Sequence, residues 1–209
     1  MPADQTQSWA YTEDVCIEDA ISLKARQQAR EYDIPALSPA TCALLGVIAA
    51  ASRVRSAVEV GTGTGASGLA LLRATSDIML TTIDVESEAQ HCARTNFSQA
   101  GIRAGRARII NGRSADILPR LADRSYDLVL LDGDPLEAPG DVQEALRMLR
   151  PGGLLILAHA LMGGKVADPA RREIAVVTMR NLCKDLLESS DLRTSMVPVG
   201  DGLLLAMLR

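Results

Sequence analysis

Val58-Glu59-Val60-Gly61-Thr62-Gly63-Thr64-Gly65-Ala66-Ser67-Gly68 is the stretch from which the rest of the chain can be read. A short β-branched run passes into a glycine-rich turn and then into small and apolar residues suited to a helix. Such a strand-turn-helix collects ligands at the carboxyl end of a parallel sheet. Glycine tolerates positive φ and lets a ligand come close to the backbone. Gly61-x-Gly63-x-x-Ala66 also satisfies the dinucleotide fingerprint, and Asp84, ending the next predicted strand, supplies the acid that holds a pair of ribose hydroxyls. The loop therefore predicts an adenosine-containing cofactor without saying which one.

Glu59 narrows the choice. An acid two residues before the first glycine is expected at the strand's carboxyl end, where it repels a pyrophosphate and attracts a cation. Asp132 and Asp134 follow the fourth predicted strand, at the same rim. A cleft with Glu59, Asp84, Asp132 and Asp134 suits the sulfonium of S-adenosylmethionine better than the two phosphates of NAD. A structural role for Glu59, capping the loop backbone, is compatible with this.

Outward from the loop, strands are expected at Ser56–Val60, Ile78–Ile83, Ala107–Ile110, Asp127–Leu131 and Leu154–Leu157. They are short and apolar on both faces, as strands of a covered parallel sheet are. Helices fall between and around them. Ser38-Pro39 opens one that Ala43 to Ala51 fills; Glu86 to Ala100 is another, stopped by Gly101. Ser114 is placed as the cap of Ala115–Ala122, Val142–Leu149 precedes the stop Arg150-Pro151-Gly152-Gly153, and Asp168-Pro169 is placed at the start of the last helix, to about Glu188. Leu192–Val197 and Leu203–Leu208 flank Gly200-Asp201-Gly202, a hairpin turn. Helices, five βα units and an antiparallel pair make a doubly wound, Rossmann-like α/β sheet with a hairpin on one edge. Residues 1–36 are read as a helical arm and 37–209 as one globular domain.

Composition sets outer limits. The 209 residues, 47% hydrophobic and 23% charged, can bury one sizeable core and are not a disordered chain. A net charge of −4 gives no basic footprint for nucleic acid. The longest apolar stretch, Ala43 to Ala51, is well short of the roughly 18 residues that cross a bilayer. No secretory signal opens the sequence, and Cys16, Cys42, Cys92 and Cys183 form no Cys-x-x-Cys pair, so reduced packing thiols in a cytoplasmic protein are expected. Among only five aromatic residues, Trp9 and Tyr11 lie close enough in sequence to form a ring-binding wall or to pin the arm to the body.

Several motifs in order carry a resemblance. They are the glycine loop, Thr82-Ile83-Asp84-Val85-Glu86, Gly112-Arg113-Ser114-Ala115-Asp116-Ile117-Leu118-Pro119, Leu131-Asp132-Gly133-Asp134, Leu149-Arg150-Pro151-Gly152-Gly153 and Pro198-Val199-Gly200-Asp201-Gly202-Leu203. From about Leu37 to the end, the chain resembles the class I S-adenosylmethionine-dependent O-methyltransferases of the catechol and caffeoyl-CoA type. The resemblance implies a seven-stranded sheet whose last strand is antiparallel, a homodimer, and a small hydroxylated substrate, with S-adenosylhomocysteine as co-product. It also implies that Glu59 and the Gly61-Thr62-Gly63 turn hold the methionine part, with Ser67 on its carboxylate and Asp134 near its amine. Asp84 would bind the ribose, Val85, Ser114 and Ala115 the adenine, and Leu37 and Ser38 would close over the cofactor.

Metal-dependent members of that family carry an acid at the position of Asp132 and an Asp-Asn pair ending the fifth strand. Here the pair is Ala158-His159, and Pro135 replaces a common lysine. Asp132, alone or with Asp134, is a poor cage for Mg²⁺, so no metal ligand set is expected. The hydroxyl proton then needs another acceptor, and His159, with Asp132 to orient it, is the candidate base. His159 as a substrate contact, as a structural residue, or as a ligand with Asp132 to a softer metal are alternatives. So are a cofactor-binding protein that has lost catalysis and, more distantly, an NAD-dependent oxidoreductase.

Overall fold

The computed structural model describes residues 3–209. Its elements in chain order are α1 (Ala3–Asp14), α2 (Ala20–Glu31), α3 (Pro39–Ala51), β1 (Ser56–Val60), α4 (Ala66–Ala74), β2 (Met79–Asp84), α5 (Ser87–Gln99), β3 (Ala107–Asn111) and a single turn, α6 (Ser114–Ile117). There follow β4 (Tyr126–Leu131), α7 (Ala138–Met148), β5 (Leu149–Leu157), α8 (Ile174–Glu188), β6 (Leu192–Val197) and β7 (Leu203–Leu208). The seven strands lie in the order β3-β2-β1-β4-β5-β7-β6. β1 to β5 are parallel, and β7 runs antiparallel to both β5 and β6.

Alternate strand residues feed two cores. Val58 and Val60 face Val142, Met179 and Leu182 on one side, while Ala57, Leu128 and Leu130 face Leu45, Leu69 and Phe97 on the other. Covering both faces explains why these strands lack apolar-polar alternation. Ala25 of α2 belongs to the second core, so that part of the arm packs into the body. Each fully buried leucine contributes roughly 1.5–3 kcal/mol.

Three expected helix boundaries move. The helix after β3 has no side-chain cap and is α-helical only over Ser114–Ile117, giving way to a 3₁₀ turn at Leu118–Arg120. Pro119 has no N–H with which to continue it. α7 starts earlier than expected, with Pro139 in its first turn, and Leu149 belongs instead to β5. Asp168-Pro169 does not open α8. Asp168 Oδ1 accepts the Ala170 N–H in a local turn, and the Arg180 guanidinium collects the carbonyls of Lys165, Val166, Asp168 and Arg171. β5 also begins earlier, at Leu149, with a register shift against β4 that absorbs Arg150 to Gly153.

Candidate functional site

The chain reverses direction across the sheet between β1 and β4, and their carboxyl ends form the crevice where ligands bind in such folds. Gly61 leaves β1 at φ +95, and a Cβ there would lie 2.3 Å from the Asp132 carbonyl oxygen. Only glycine lets the exits of β1 and β4 lie so close. The Gly63 N–H donates to Asp84 Oδ2 (2.8 Å) and the Glu86 N–H to Asp84 Oδ1 (3.0 Å), so this carboxylate braces the loop it faces. Leu37, Gly61, Thr62, Gly63, Ser67, Asp84 and Asp132 line one cleft, with Ile34, Pro35 and Ala36 along its N-terminal wall. None of its lining residues is basic.

Glu59 is not at the open rim. It is completely buried, with Ser67 Oγ donating to Oε1 and Thr82 Oγ1 to Oε2, both at 2.6 Å. Burial pushes its pKa from 4.5 to about 7, outweighing the two hydroxyls, and the Asp84 charge adds to the rise. Glu59 thus supports the loop from beneath, and Ser67 has its hydroxyl turned to Glu59. Asp132 does face the cleft, with 12% of its side chain exposed. Burial, then the Glu59 and Asp84 charges, hold its carboxyl well above the usual range.

His159 follows β5 with φ +50, a backbone region in which residues with side chains are uncommon. Its Nε2 lies 3.4 Å from Asp132 Oδ1, is buried, and has no hydrogen-bond partner. Its Nδ1 lies 3.2 Å from Oδ2 of Asp201. In the sequence Asp201 is legible as part of a turn, and its place between two glycines in the closing motif is the signal that marks it. Buried Ala158 offers no donor, and among the described residues no three His, Cys, Asp or Glu side chains converge as a metal site needs.

The remaining expected residues lie around the cleft rather than in its wall. Ser38 caps α3 and donates to Glu13 Oε1 (2.7 Å). Val85 is exposed beyond β2, Ser114 Oγ reaches Glu137 Oε2 at 3.4 Å, and Ala115 is exposed beside it. Asp134 Oδ1 accepts the Leu136 N–H (2.8 Å). Trp9 lines an apolar groove with Val197, Pro198, Val199 and Gly200, which Tyr11 does not share. Glu13, rather than these rings, joins α1 to α3 by hydrogen bonds, since its Oε2 also accepts the Ala40 N–H at 2.9 Å.

The model of the O-methyltransferase family matches residues 7–209. The chain belongs to that family. A relative in Mycobacterium sp. (strain JLS) named as an O-methyltransferase is 45% identical over 198 residues, spanning 94% of this chain and 90% of its own length. Among solved structures, the O-methyltransferase TomG from Streptomyces achromogenes, in complex with SAM, superposes with a TM-score of 0.87 at 29% identity. That match covers 100% of this chain and 99% of TomG. A Corynebacterium glutamicum protein reaches the same TM-score at 32% identity, covering 95% of this chain and 94% of its own. No described helix is long and apolar enough to cross a membrane.

Proposed function

We propose that this O-methyltransferase uses S-adenosylmethionine to methylate a hydroxyl of a small molecule, and that the Asp132–His159 pair takes up the hydroxyl proton without a Mg²⁺ site. The observation that carries the reading is the meeting of Asp132 Oδ1 and His159 Nε2, 3.4 Å apart, beside the cleft. These are positions at which metal-dependent relatives carry ligands, and here Ala158 has removed an oxygen donor from between them in sequence.

The residues present fit the cofactor. Gly61 keeps the backbone open, Asp84 supplies negative charge with the Asp132 carboxyl beside it, and no basic side chain in the cleft favours a pyrophosphate. When bound, the cofactor supplies a methyl group on a sulfonium whose charge is lost on transfer. Asp84 holds the ribose, with Val85, Ser114 and Ala115 towards the adenine, Asp134 near the amine and Leu37 as cover.

Catalysis of an in-line displacement is largely positioning. A phenolic hydroxyl, with a pKa of about 10, must also lose a proton. Asp132 faces the cleft and His159 stands behind it, so the proton leaves the hydroxyl towards Asp132 and is shared with Nε2. The acidic balance and the resemblance favour a cytoplasmic homodimer without nucleic-acid or membrane partners.

His159→Gln should lower turnover of a phenol and hydroxy-acid panel by at least ~100-fold while donor affinity, measured by calorimetry, stays the same. Unchanged turnover removes His159 from the mechanism.

A further inference from the structure

We infer that Asp201, in the turn between β6 and β7, is a positioning residue that fixes His159 with its hydrogen on Nδ1 and an unprotonated Nε2 facing Asp132. The inference rests on the proton-acceptor reading of the Asp132–His159 pair and adds what orients it.

The carboxylate of Asp201 is itself held. Its Oδ1 accepts the Gly163 N–H at 2.6 Å, which leaves Oδ2 directed at His159 Nδ1, 3.2 Å away. Backbone bonds interlock the two segments: Ala160 N–H donates to the Gly202 carbonyl and Leu161 N–H to the Asp201 carbonyl, both at 3.0 Å. Gly202, at φ +83, is required at the crossing, because a Cβ there would fall 2.5 Å from Leu161 Cγ. The loop that holds His159 in its left-handed conformation is thus the one that receives Asp201.

Both ring nitrogens face carboxylates, but unequally. The Nδ1–Asp201 separation is a hydrogen bond, whereas the Nε2–Asp132 separation of 3.4 Å is not one, and Nε2 has no other partner. A ring nitrogen that donates to a carboxylate fixes the tautomer of the other nitrogen. With hydrogen on Nδ1, the Nε2 lone pair can receive one proton. When the acceptor O–H bond breaks, its electron pair stays on oxygen to form the O–CH₃ bond, and the proton passes to the Asp132–Nε2 pair. The imidazolium then lies between Asp132 and Asp201, both of which stabilise its charge.

The chain has only two histidines, and His91 is exposed on α5, so long-range ¹H–¹⁵N spectra of labelled protein separate the two rings. In alkaline solution, with the ring neutral, His159 should show protonated Nδ1 and bare Nε2. In Asp201→Ala the ring should instead resemble His91. Asp201→Asn should lower kcat at least about tenfold with KM for the donor within twofold, and Asp201→Glu should recover part of the loss. Hydrogen on Nε2 in the wild type overturns the inference even if every Asp201 variant fails to fold. An unchanged tautomer with unchanged kcat in Asp201→Asn overturns it as well. If the Nδ1 tautomer depends on Asp201 while His159→Gln leaves turnover intact, the hold of Asp201 on the ring stands and the proton-acceptor reading fails.

Discussion

Replacing Glu59 by glutamine should make the stability of this protein less sensitive to alkali. The carboxyl is fully buried and has its pKa pushed from 4.5 to about 7, mainly by that burial. Because the folded pKa lies above the unfolded one, the protonated acid's contribution is complete below about pH 4.5 and is lost as pH rises through about 7. At 1.36 kcal/mol per pH unit the whole loss is about 3 kcal/mol, of which roughly 2.5 falls between pH 5 and pH 8.5. The amide that replaces the carboxyl would keep an acceptor oxygen for one of the two hydroxyls. Thr82 Oγ1 already lies 2.7 Å from Thr62 Oγ1, so it has another partner to turn to. The assay is urea unfolding of wild type and Glu59→Gln at both pH values. The stability difference, variant over wild type, should grow by about 2–3 kcal/mol from pH 5 to pH 8.5, or about 5–10 °C in Tm. Asp132, raised for the same reasons, titrates in both proteins, so the difference reports Glu59 together with its repulsion of Asp132. A difference that stays constant with pH would refute the claim that Glu59 folds as a protonated acid.

Two further substitutions test the architecture around the cleft. Gly61→Ala forces a Cβ into the Asp132 carbonyl at a positive φ, and should weaken donor binding at least tenfold and lower Tm, as read by calorimetry and a thermal scan. Glu13→Ala removes the acceptor of both the Ser38 hydroxyl and the Ala40 N–H, and should cost about 1–3 kcal/mol, with hydrogen exchange accelerated in α1 before the sheet.

The strand framework was legible because its punctuation is local. β1 and both hairpin strands begin and end where the sequence reading places them, and Ser38-Pro39 starts α3 through its own side chain and ring. Boundaries set by distant groups were not legible. The start of α8 depends on Arg180, about one turn and a half into the helix, binding the carbonyls of the loop before it. The same division holds at the site. Spacing placed Asp84, Asp132 and the glycine loop together, because strand ends and turns fix their position. It could not say that Glu59 points beneath the loop, since β1 is buried on both faces and its residues carry no alternation to show which side is inward. Nor could it pair Asp201 with His159, which are 42 residues apart and meet only because β7 lies beside β5.

The rate of S-adenosylhomocysteine formation from S-adenosylmethionine with a panel of phenols and hydroxy acids, in EDTA and in millimolar Mg²⁺, tests the role of the Asp132–His159 pair most directly. Equal turnover in the two conditions is the expected result. Turnover that disappears in EDTA and returns with Mg²⁺ would mean that a cation, not the Asp132–His159 pair, activates the hydroxyl.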